Sequence, residues 1–582
     1  MSTVALEEIL AEREHRVLRR QKLIFEHQCP VITFTLNLAG PEKRGRLSDF
    51  VFGKGVALLK SRLGEPLFYE RLSSSAGLCA FFGYREHASV LKKVCMEIEE
   101  RECGRIFDFD VTDEHETGIS RSVPRRCLLC SRPAAECARS REHPLESVVA
   151  KTEEILLDFA AGALASDAYC ALIDELNLTP KPGLVDKNNS GAHFDMNYAL
   201  FCKSAAALVP FFRKAVLIGA KSSGLASLEA EGILAEKTMF AATGGVNTHK
   251  GAIFLFMLIL YGFGKYFADG ESPFEAASAL AAEKRAAADT HGAEIRAKYG
   301  VAGALEEAVS GFSASVLGAE LLTEGKAPLR VLFEIMSRTS DTNVLFRGGK
   351  AALDFVRQSA AKALLLPDEK LAAEGARLDS EFISRGISPG GCADLFALSL
   401  FISREFSQNV LKNTVICVKA AYPDLLQIKA MFSALIEKMA SEGLFIWDNI
   451  YPACAFSEDI AENRLYLLKQ GDSLLSVFAL GNDLAGSDFP GWESPSAKAL
   501  FLMRLGVNPL YSKKGFGILS VKKAAAFAKA AGAKYLRLFV AADNVPAIRF
   551  YENFGFCRTP GVFRNEIAPA EFIDEYGYEL KL

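Results

Sequence analysis

The sequence predicts a multidomain protein: an α+β first block (residues 1–148), an all-α middle block (149–408) and an α/β last block (410–582). Three observations carry this. The chain has 582 residues, and domains average about 150 residues. The middle block is rich in alanine and leucine with helical periodicity and few strand signals. The flanking blocks instead mix short strand-like runs with glycine, cysteine and basic loops. The joints fall in two polar stretches, 139–146 and 403–413. Half of the residues are apolar, and 67 basic against 71 acidic residues leave a formal charge of −4. That balance excludes the bulk electrostatics of a nucleic-acid binder. Thirteen cysteines are scattered, and the start of the chain (2–21) is charged and helical in pattern, not a secretory signal. A reducing, cytoplasmic setting without disulfides is expected. The longest apolar run, 252–260, is shorter than the ~20 residues a bilayer requires. It reads as a buried core helix, and no membrane partner is expected.

In the first block, Ile32-Thr33-Phe34-Thr35-Leu36-Asn37-Leu38-Ala39-Gly40-Pro41-Glu42-Lys43 reads as a strand, a Gly-Pro turn and a lysine beyond. In Gly104-Arg105-Ile106-Phe107-Asp108-Phe109-Asp110-Val111, strand alternation puts Asp108 and Asp110 on one face and the apolar residues on the other. Two carboxylates at i and i+2 suit Mg²⁺ held against substrate phosphates; a solvated strand face is the plainer reading. Arg125-Arg126-Cys127-Leu128-Leu129-Cys130, then Cys137 and His143, have zinc-like spacing, against the alternative of buried thiols. Arg125, Arg126, Arg132, Arg139 and Arg141 surround them, suited to a polyphosphate or an acidic partner.

Together these stretches resemble apo-citrate lyase phosphoribosyl-dephospho-CoA transferase, the holo-acyl-carrier-protein synthase of citrate lyase. Ala39 departs from it, where a proline is expected. The resemblance implies a nucleotidyltransferase-like α+β fold. It also implies transfer of phosphoribosyl-dephospho-CoA to a serine of the citrate lyase acyl carrier protein, with loss of pyrophosphate. Asp108 and Asp110 would hold Mg²⁺, Lys43 and Arg105 the phosphate oxygens, and the arginine-rich stretch the acidic carrier.

In the middle block, Thr243-Gly244-Gly245-Val246-Asn247-Thr248-His249-Lys250-Gly251 precedes the apolar run. A glycine loop opening a helix presents free N–H groups and a positive dipole end to an anion. A merely tight turn is the alternative, and the spacing is not that of a Walker loop. Three further polar clusters interrupt the helices: Thr179-Pro180-Lys181-Pro182-Gly183-Leu184-Val185-Asp186 running on to Ala192-His193-Phe194-Asp195; Ser340-Asp341-Thr342-Asn343 with Arg347-Gly348-Gly349; and Ser388-Pro389-Gly390-Gly391-Cys392-Ala393-Asp394. Asp195 also reads as an N-cap for a helix over 196–212.

These four clusters, in this order, resemble triphosphoribosyl-dephospho-CoA synthase, which uses ATP and 3'-dephospho-CoA and releases adenine. The implied chemistry is attack of a 2'-hydroxyl on the anomeric carbon of the ATP ribose through an oxocarbenium-like state. Lys181, Lys250 and Arg347 are expected on phosphate, with Asn247 and Asn343 beside the substrate. Asp195, Asp341 and Asp394 are expected on Mg²⁺, one of them alternatively as base, and His249 at the departing adenine.

The last block runs Arg504-Leu505-Gly506-Val507-Asn508-Pro509, then Tyr511-Ser512-Lys513-Lys514-Gly515-Phe516-Gly517-Ile518. A helix over 520–531, a strand over 535–540, Asp543-Asn544, a helix through Tyr551 and Phe554-Gly555-Phe556 follow. This order, with Trp447-Asp448 and Tyr451-Pro452, resembles a GNAT-type N-acetyltransferase. It implies acyl-CoA pyrophosphate at Gly515, Phe516, Gly517 and Ile518, pantetheine near Asn544, and Tyr551 as acid for the thiolate. Ser512 departs from the arginine or glutamine expected there, with Lys513 and Lys514 as compensating charge. The acceptor is not legible. The whole reads as a cytoplasmic enzyme that makes and attaches the citrate lyase prosthetic group. Service to malonate decarboxylase, and a non-catalytic carrier-binding scaffold, are the alternatives.

Overall fold

The computed structural model describes residues 6–74, 76–100, 104–121, 123–283, 303–448, 451–482, 484–568 and 571–582. They form two compact units. The first comprises Met1–Ser166, Gly219–Ser222 and Phe263–Gly270; the second comprises Asp167–Ile218, Ser223–Gly262 and Glu271–Leu582.

The first unit is built on an antiparallel sheet of order β2-β3-β1-β4, with β1 Val31–Leu36, β2 Phe68–Ser74, β3 Gly77–Gly83 and β4 Phe107–Thr112. Alternation in β1 and β4 sends Phe34, Phe107 and Phe109 to one face. There Phe34 stacks on Phe52 and Phe109 at 4.8 and 4.4 Å between ring centroids. The helix Arg46–Leu63 reaches this face through Gly55, where a Cβ would stand 2.5 Å from the Phe34 ring. The opposite face carries Thr33, Thr35, Asp108 and Asp110. The helix Leu6–His27 covers part of it through Leu23 and Ile24 against Val31, Cys79 and Phe81. Residues 2–5 of the predicted N-terminal helix lie outside the described residues. The helix Leu145–Asn177 is continuous across residue 148, and the expected joint at 139–146 spans the non-helical turn between it and the short helix Ala134–Ser140.

In the second unit, no strand occurs among the described residues between Thr112 and Val415. The middle block is helical throughout, as predicted. Its second helix spans Tyr198–Ala220, not 196–212, and Asn197, not Asp195, takes the cap: Asn197 Oδ1 accepts the Leu200 N–H at 3.0 Å. The apolar run 252–260 extends into the helix Lys250–Asp269, which with Leu145–Asn177 is long and apolar enough to cross a bilayer. Most of Lys250–Asp269 is nevertheless buried in protein. The last block adds an eight-stranded sheet of order β10-β12-β9-β8-β7-β6-β5, with β11 paired to β12; β10 is Cys557–Arg558, β11 Phe563–Ala568 and β12 Glu571–Lys581. The strands used below are β5 Val415–Lys419, β6 Leu465–Gln470, β7 Ser473–Gly481, β8 Ala499–Val507 and β9 Tyr535–Ala541.

The helical block and this sheet share one compact unit. An edge strand leaves unpaired N–H groups exposed, and β5 resolves one of them by donating the Cys417 N–H to Ser313 Oγ at 2.9 Å. Nearby, the buried Arg338 guanidinium grips the buried Asp424 carboxylate at 2.5 Å. Breaking a buried pair strands a charge at a cost of about 3–5 kcal/mol, whereas apolar replacement of both partners is often near neutral. Arg338→Met is therefore expected to lower unfolding free energy by about that amount in urea titration, and Arg338→Met with Asp424→Leu to recover most of it.

Candidate functional sites

Nine of the predicted middle-block residues line one cavity of about 1020 Å³: Lys181, Asp195, Asn247, His249, Lys250, Asp341, Asn343, Arg347 and Asp394. The four clusters, spread over two hundred residues of sequence, converge there because each sits at the end of a helix that opens on the same space.

The floor is a buried charge cluster. The Lys181 ammonium donates to the Glu175 carbonyl at 3.1 Å and to its carboxylate. It is thus committed to Glu175 rather than exposed to solvent. Burial, then the neighbouring Glu175 and Asp341 carboxylates, hold the Asp394 carboxyl well above its usual range, against the Ala252 N–H and Lys181. Asp394 therefore occupies an amide of the first turn of the helix Lys250–Asp269, where an anion was expected. Gly251 makes this approach possible, since a Cβ there would stand 2.1 Å from Asp394 Oδ2. Gly244 and Gly245 adopt φ of 67° and 94°. They close the preceding helix Leu225–Thr243 rather than cradling a ligand alone.

Asp341 ties two clusters together. Its Oδ1 accepts the N–H groups of Asn343 and Val344 at 2.8 and 3.1 Å, and its Oδ2 that of Cys392 at 2.9 Å. Burial still raises its pKa. His249 is buried. The Thr248 hydroxyl donates to Ser204 Oγ at 2.7 Å, and Ser204 Oγ and His249 Nδ1 share a hydrogen bond of 2.7 Å. Burial lowers its pKa to about 3. His249 is a neutral donor, not an imidazolium.

At the rim, Lys250 pairs with Glu236 at 3.1 Å. Arg347 Nη2 donates to His193 Nδ1 at 3.3 Å, and His193 Nε2 meets Ser388 Oγ at 2.8 Å. Burial and then Arg347 depress the His193 pKa, with Asp195 opposing from 3.9 Å. His193, Glu175 and Asp186 were missed as site residues. His193 lay in a quoted cluster, but nothing in the sequence paired Glu175 with Lys181. The cavity's far wall comes from the last block: Lys419 donates to Ser340 Oγ at 2.8 Å, and the Tyr466 hydroxyl to Glu306 Oε1 at 2.8 Å.

Glu175 and Asp394 share the single Lys181 ammonium, Asp341 stands beside Asp394, and the buried Asp186 Oδ2 has no hydrogen-bond partner. This donor set fits a hard divalent cation with oxygen ligands.

In the first unit, Asp108 and Asp110 share the predicted face, opposite Thr35 and Thr33 in register. Asp108 takes Arg125 at 2.8 Å. Enclosure by protein, although the Asp110 side chain still reaches solvent, and then the Asp108 charge, raise the Asp110 pKa. Thr33 Oγ1, facing Asp110, is buried without a hydrogen-bond partner, which again suits a cation bound at the acid pair. Arg16 and Lys43 line a small cleft beside Thr35. Lys43 Nζ donates to the Leu38 carbonyl at 2.5 Å, and burial lowers its pKa. Arg105 turns away from the acids, toward the Arg126 and Cys127 carbonyls. Two features were missed: Arg13, Arg16 and Arg20, whose i, i+3, i+7 spacing was the available signal, and the buried Glu99. Glu99 receives Arg121, Arg125 at 2.6 Å and the Phe109 N–H at 2.7 Å. The sulfurs of Cys127, Cys130 and Cys137 and a ring nitrogen of His143 lie within 4.8 Å of one another.

In the last block, β8 and β9 pair in parallel only at 499–501, and the remainder of each strand is unpaired with the other. Gly515, at φ 87°, caps the helix Phe516–Ala530 in the left-handed region; Phe516, Gly517 and Ile518 form its first turn. Asn544 Oδ1 accepts the Ala547 N–H at 3.1 Å, capping the helix Val545–Phe554. Burial raises the Tyr551 pKa. The charge beside Ser512 comes from Lys438, whose ammonium donates to Ser512 Oγ at 3.0 Å. Lys514 instead lies over the Tyr511 ring.

Polar groups converging on a nucleotide-sized cavity, an acid pair on a strand and a splayed sheet with a glycine-capped helix define a multidomain group-transfer enzyme. Comparison with known proteins agrees. The apo-citrate lyase phosphoribosyl-dephospho-CoA transferase family matches residues 4–159, ATP:dephospho-CoA triphosphoribosyl transferase 161–412, and the acetyltransferase (GNAT) family 434–556. Protein CitXG of Haemophilus influenzae is 34% identical over 69% of this chain and 96% of its own length. The 2-(5''-triphosphoribosyl)-3'-dephosphocoenzyme-A synthase of Haemophilus ducreyi is 33% identical over 47% of this chain and 98% of its own. A GNAT-family acetyltransferase structure from Listeria monocytogenes is similar at 18% identity and TM-score 0.25, covering 29% of this chain and 95% of its own. The chain belongs to the CitXG family. It is a multifunctional transferase of citrate lyase prosthetic-group synthesis, with a GNAT acetyltransferase domain at its C-terminal end.

Two outcomes test the cavity floor. Gly251→Ala drives a methyl into Asp394 and is expected to cut synthase turnover at least about tenfold, ~1.4 kcal/mol in barrier, by steady-state kinetics. His249 is held at about 3 from an ordinary 6.5, so the unfolded chain binds a proton that the native one refuses. Its contribution to stability is full above pH 6.5 and is lost as pH falls toward 3. Unfolding midpoints measured across that window should fall less steeply in His249→Gln than in the parent.

Proposed function

We propose that the middle domain (149–408) joins ATP to 3'-dephospho-CoA with release of adenine. The first domain (1–148) then moves phosphoribosyl-dephospho-CoA to a serine of the citrate lyase acyl carrier protein with loss of pyrophosphate. Convergence of the four sequence clusters on one cavity carries this reading. Asp195, the least enclosed of its three aspartates, takes the proton from the attacking 2'-hydroxyl. His249 donates an Nε2–H hydrogen bond toward the adenine as it leaves with the bond pair, acting as a neutral donor. Lys250, Arg347, Asn247 and Asn343 hold the triphosphate at the rim, and Lys181 sets the Glu175 and Asp394 carboxylates. Asp341 and Asp394 would hold Mg²⁺, which when bound neutralises the polyphosphate.

In the first domain Asp108 and Asp110 would hold Mg²⁺, with Lys43 and Arg16 toward phosphate and Arg125 fixing Asp108. The cysteine–histidine cluster is the place for Zn²⁺. In the last domain (410–582), acetyl-CoA enters the cleft between β8 and β9, its pyrophosphate at Gly515, Phe516, Gly517 and Ile518. Asn544 lies along the pantetheine, Tyr551 protonates the thiolate, and Lys438 supplies the charge that Ser512 lacks. The reactions belong to the cytoplasm, where ATP and dephospho-CoA are met.

The test incubates purified full-length protein with Mg-ATP, dephospho-CoA and apo acyl carrier protein, following adenine by chromatography and the carrier by mass. Adenine release with a gain of one phosphoribosyl-dephospho-CoA unit is expected; no adenine release overturns the synthase assignment. Asp110→Asn is expected to lower carrier modification about a hundredfold or more and to leave adenine release unchanged.

A further inference from the structure

The segment from Asp113 to Pro144 follows the acid-bearing strand β4 and has almost no apolar interior. Among its described residues only Cys127 and Cys137 are buried. A stretch of this size lacks the core to hold a fixed shape and normally needs a staple. Yet it is drawn into a tight knuckle. The Cys127 N–H donates to the Arg132 carbonyl at 2.8 Å and the Ala134 N–H to the Arg125 carbonyl at 2.8 Å. The Leu129 N–H points at Cys127 Sγ from 3.5 Å, the contact that steadies a ligating thiolate. Cys137 enters from the short helix Ala134–Ser140, and His143 follows it.

The four ligand atoms are spaced for one small tetrahedral ion. Cys130 Sγ lies 3.5 Å from Cys137 Sγ and 3.4 Å from His143 Nε2, and no pair of ligand atoms exceeds 4.8 Å. Zn–S bonds of ~2.3 Å in a tetrahedron put sulfurs ~3.8 Å apart. A disulfide would need ~2.05 Å, so the thiols are gathered without being joined. Three sulfurs and one imidazole fill all four positions. The site is closed and structural, with no place for substrate. Three thiolates and Zn²⁺ carry one net negative charge, and Arg132 stands at Cys130 to meet it.

The knuckle also feeds the acid pair. Its first residue, Arg125, reaches Asp108 at 2.8 Å and Glu99 at 2.6 Å, and its carbonyls at Arg126 and Cys127 anchor Arg105. We propose that Cys127, Cys130, Cys137 and His143 form a closed structural zinc site that holds Arg125 against Asp108, making the metal a positioning element for the carrier-modifying reaction. This rests on the first domain carrying that reaction; the zinc itself does not.

The experiment uses full-length protein purified without added metal. Elemental analysis is expected to find one zinc per chain, and cobalt exchange to give tetrahedral bands with thiolate charge transfer. Cys137→Ser should lose zinc at least tenfold and carrier modification at least tenfold, with adenine release within twofold as the control for folding. Cys137→His, which keeps four ligands, should restore both. Protein with no zinc, or with iron in its place, overturns the site. Zinc lost from Cys137→Ser while carrier modification persists overturns the positioning role and leaves the site standing. Absence of carrier modification in the parent, with zinc present, overturns the positioning role together with the transferase reading, and again leaves the site.

Discussion

One ammonium, Lys181, set between the carboxylates of Glu175 and Asp394, with Asp341 beside Asp394, is the constraint on which the helical domain is organised. Burying charge is costly unless it is paired, and these groups are reached from four separate segments. Glu175 comes from the long helix Leu145–Asn177, Lys181 from the Thr-Pro-Lys-Pro-Gly turn, Asp341 from a helix cap and Asp394 from the first turn of the helix Gly390–Glu405. Gly251 carries no side chain because Asp394 Oδ2 already occupies that space. Asp341 spends both oxygens on backbone N–H groups of two different clusters. Displacing any one of these elements would leave a buried carboxylate without its partner.

The first unit meets the same problem differently. Its acids sit on a strand, where alternation separates them from the phenylalanine core without further help. Their charge is then regulated from the side. Glu99, buried beneath the sheet edge, gathers Arg121 and Arg125, and Arg125 passes one contact on to Asp108. Arg121 and Arg125 are thus tied to defined carboxylate partners, in keeping with the planar fork that favours such bridging.

The last block is not an independent appendage to the helices. Arg338 with Asp424, Arg357 with the Ile460 carbonyl and Cys417 with Ser313 bind the sheet to the helical domain. As a result Lys419 and Tyr466 form part of the wall of the middle-domain cavity. That wall stands beside the Ser340-Asp341 turn, so the sheet that frames the acetyltransferase cleft also braces a synthase loop.

Much was legible in the sequence alone. Strand alternation placed Asp108 and Asp110 on one face, because side-chain direction in a strand depends only on parity. Helical periodicity, and glycines or prolines at helix ends, located the four middle-block clusters; the order of strand, glycine loop and helix marked the last block. These are local properties, decided within a few residues. Other features required the tertiary structure. Lys181 faces Glu175 rather than solvent, and Asn197 rather than Asp195 caps its helix. His249 is a neutral donor behind Ser204, Lys438 stands in beside Ser512, and Lys419 reaches a cavity built by another domain. Each of these depends on which distant segments meet and how much water they exclude. Local pattern in the chain names the reactive residue types and their order; packing decides which groups are charged and which are committed to partners, because burial and contact across the chain set those energies.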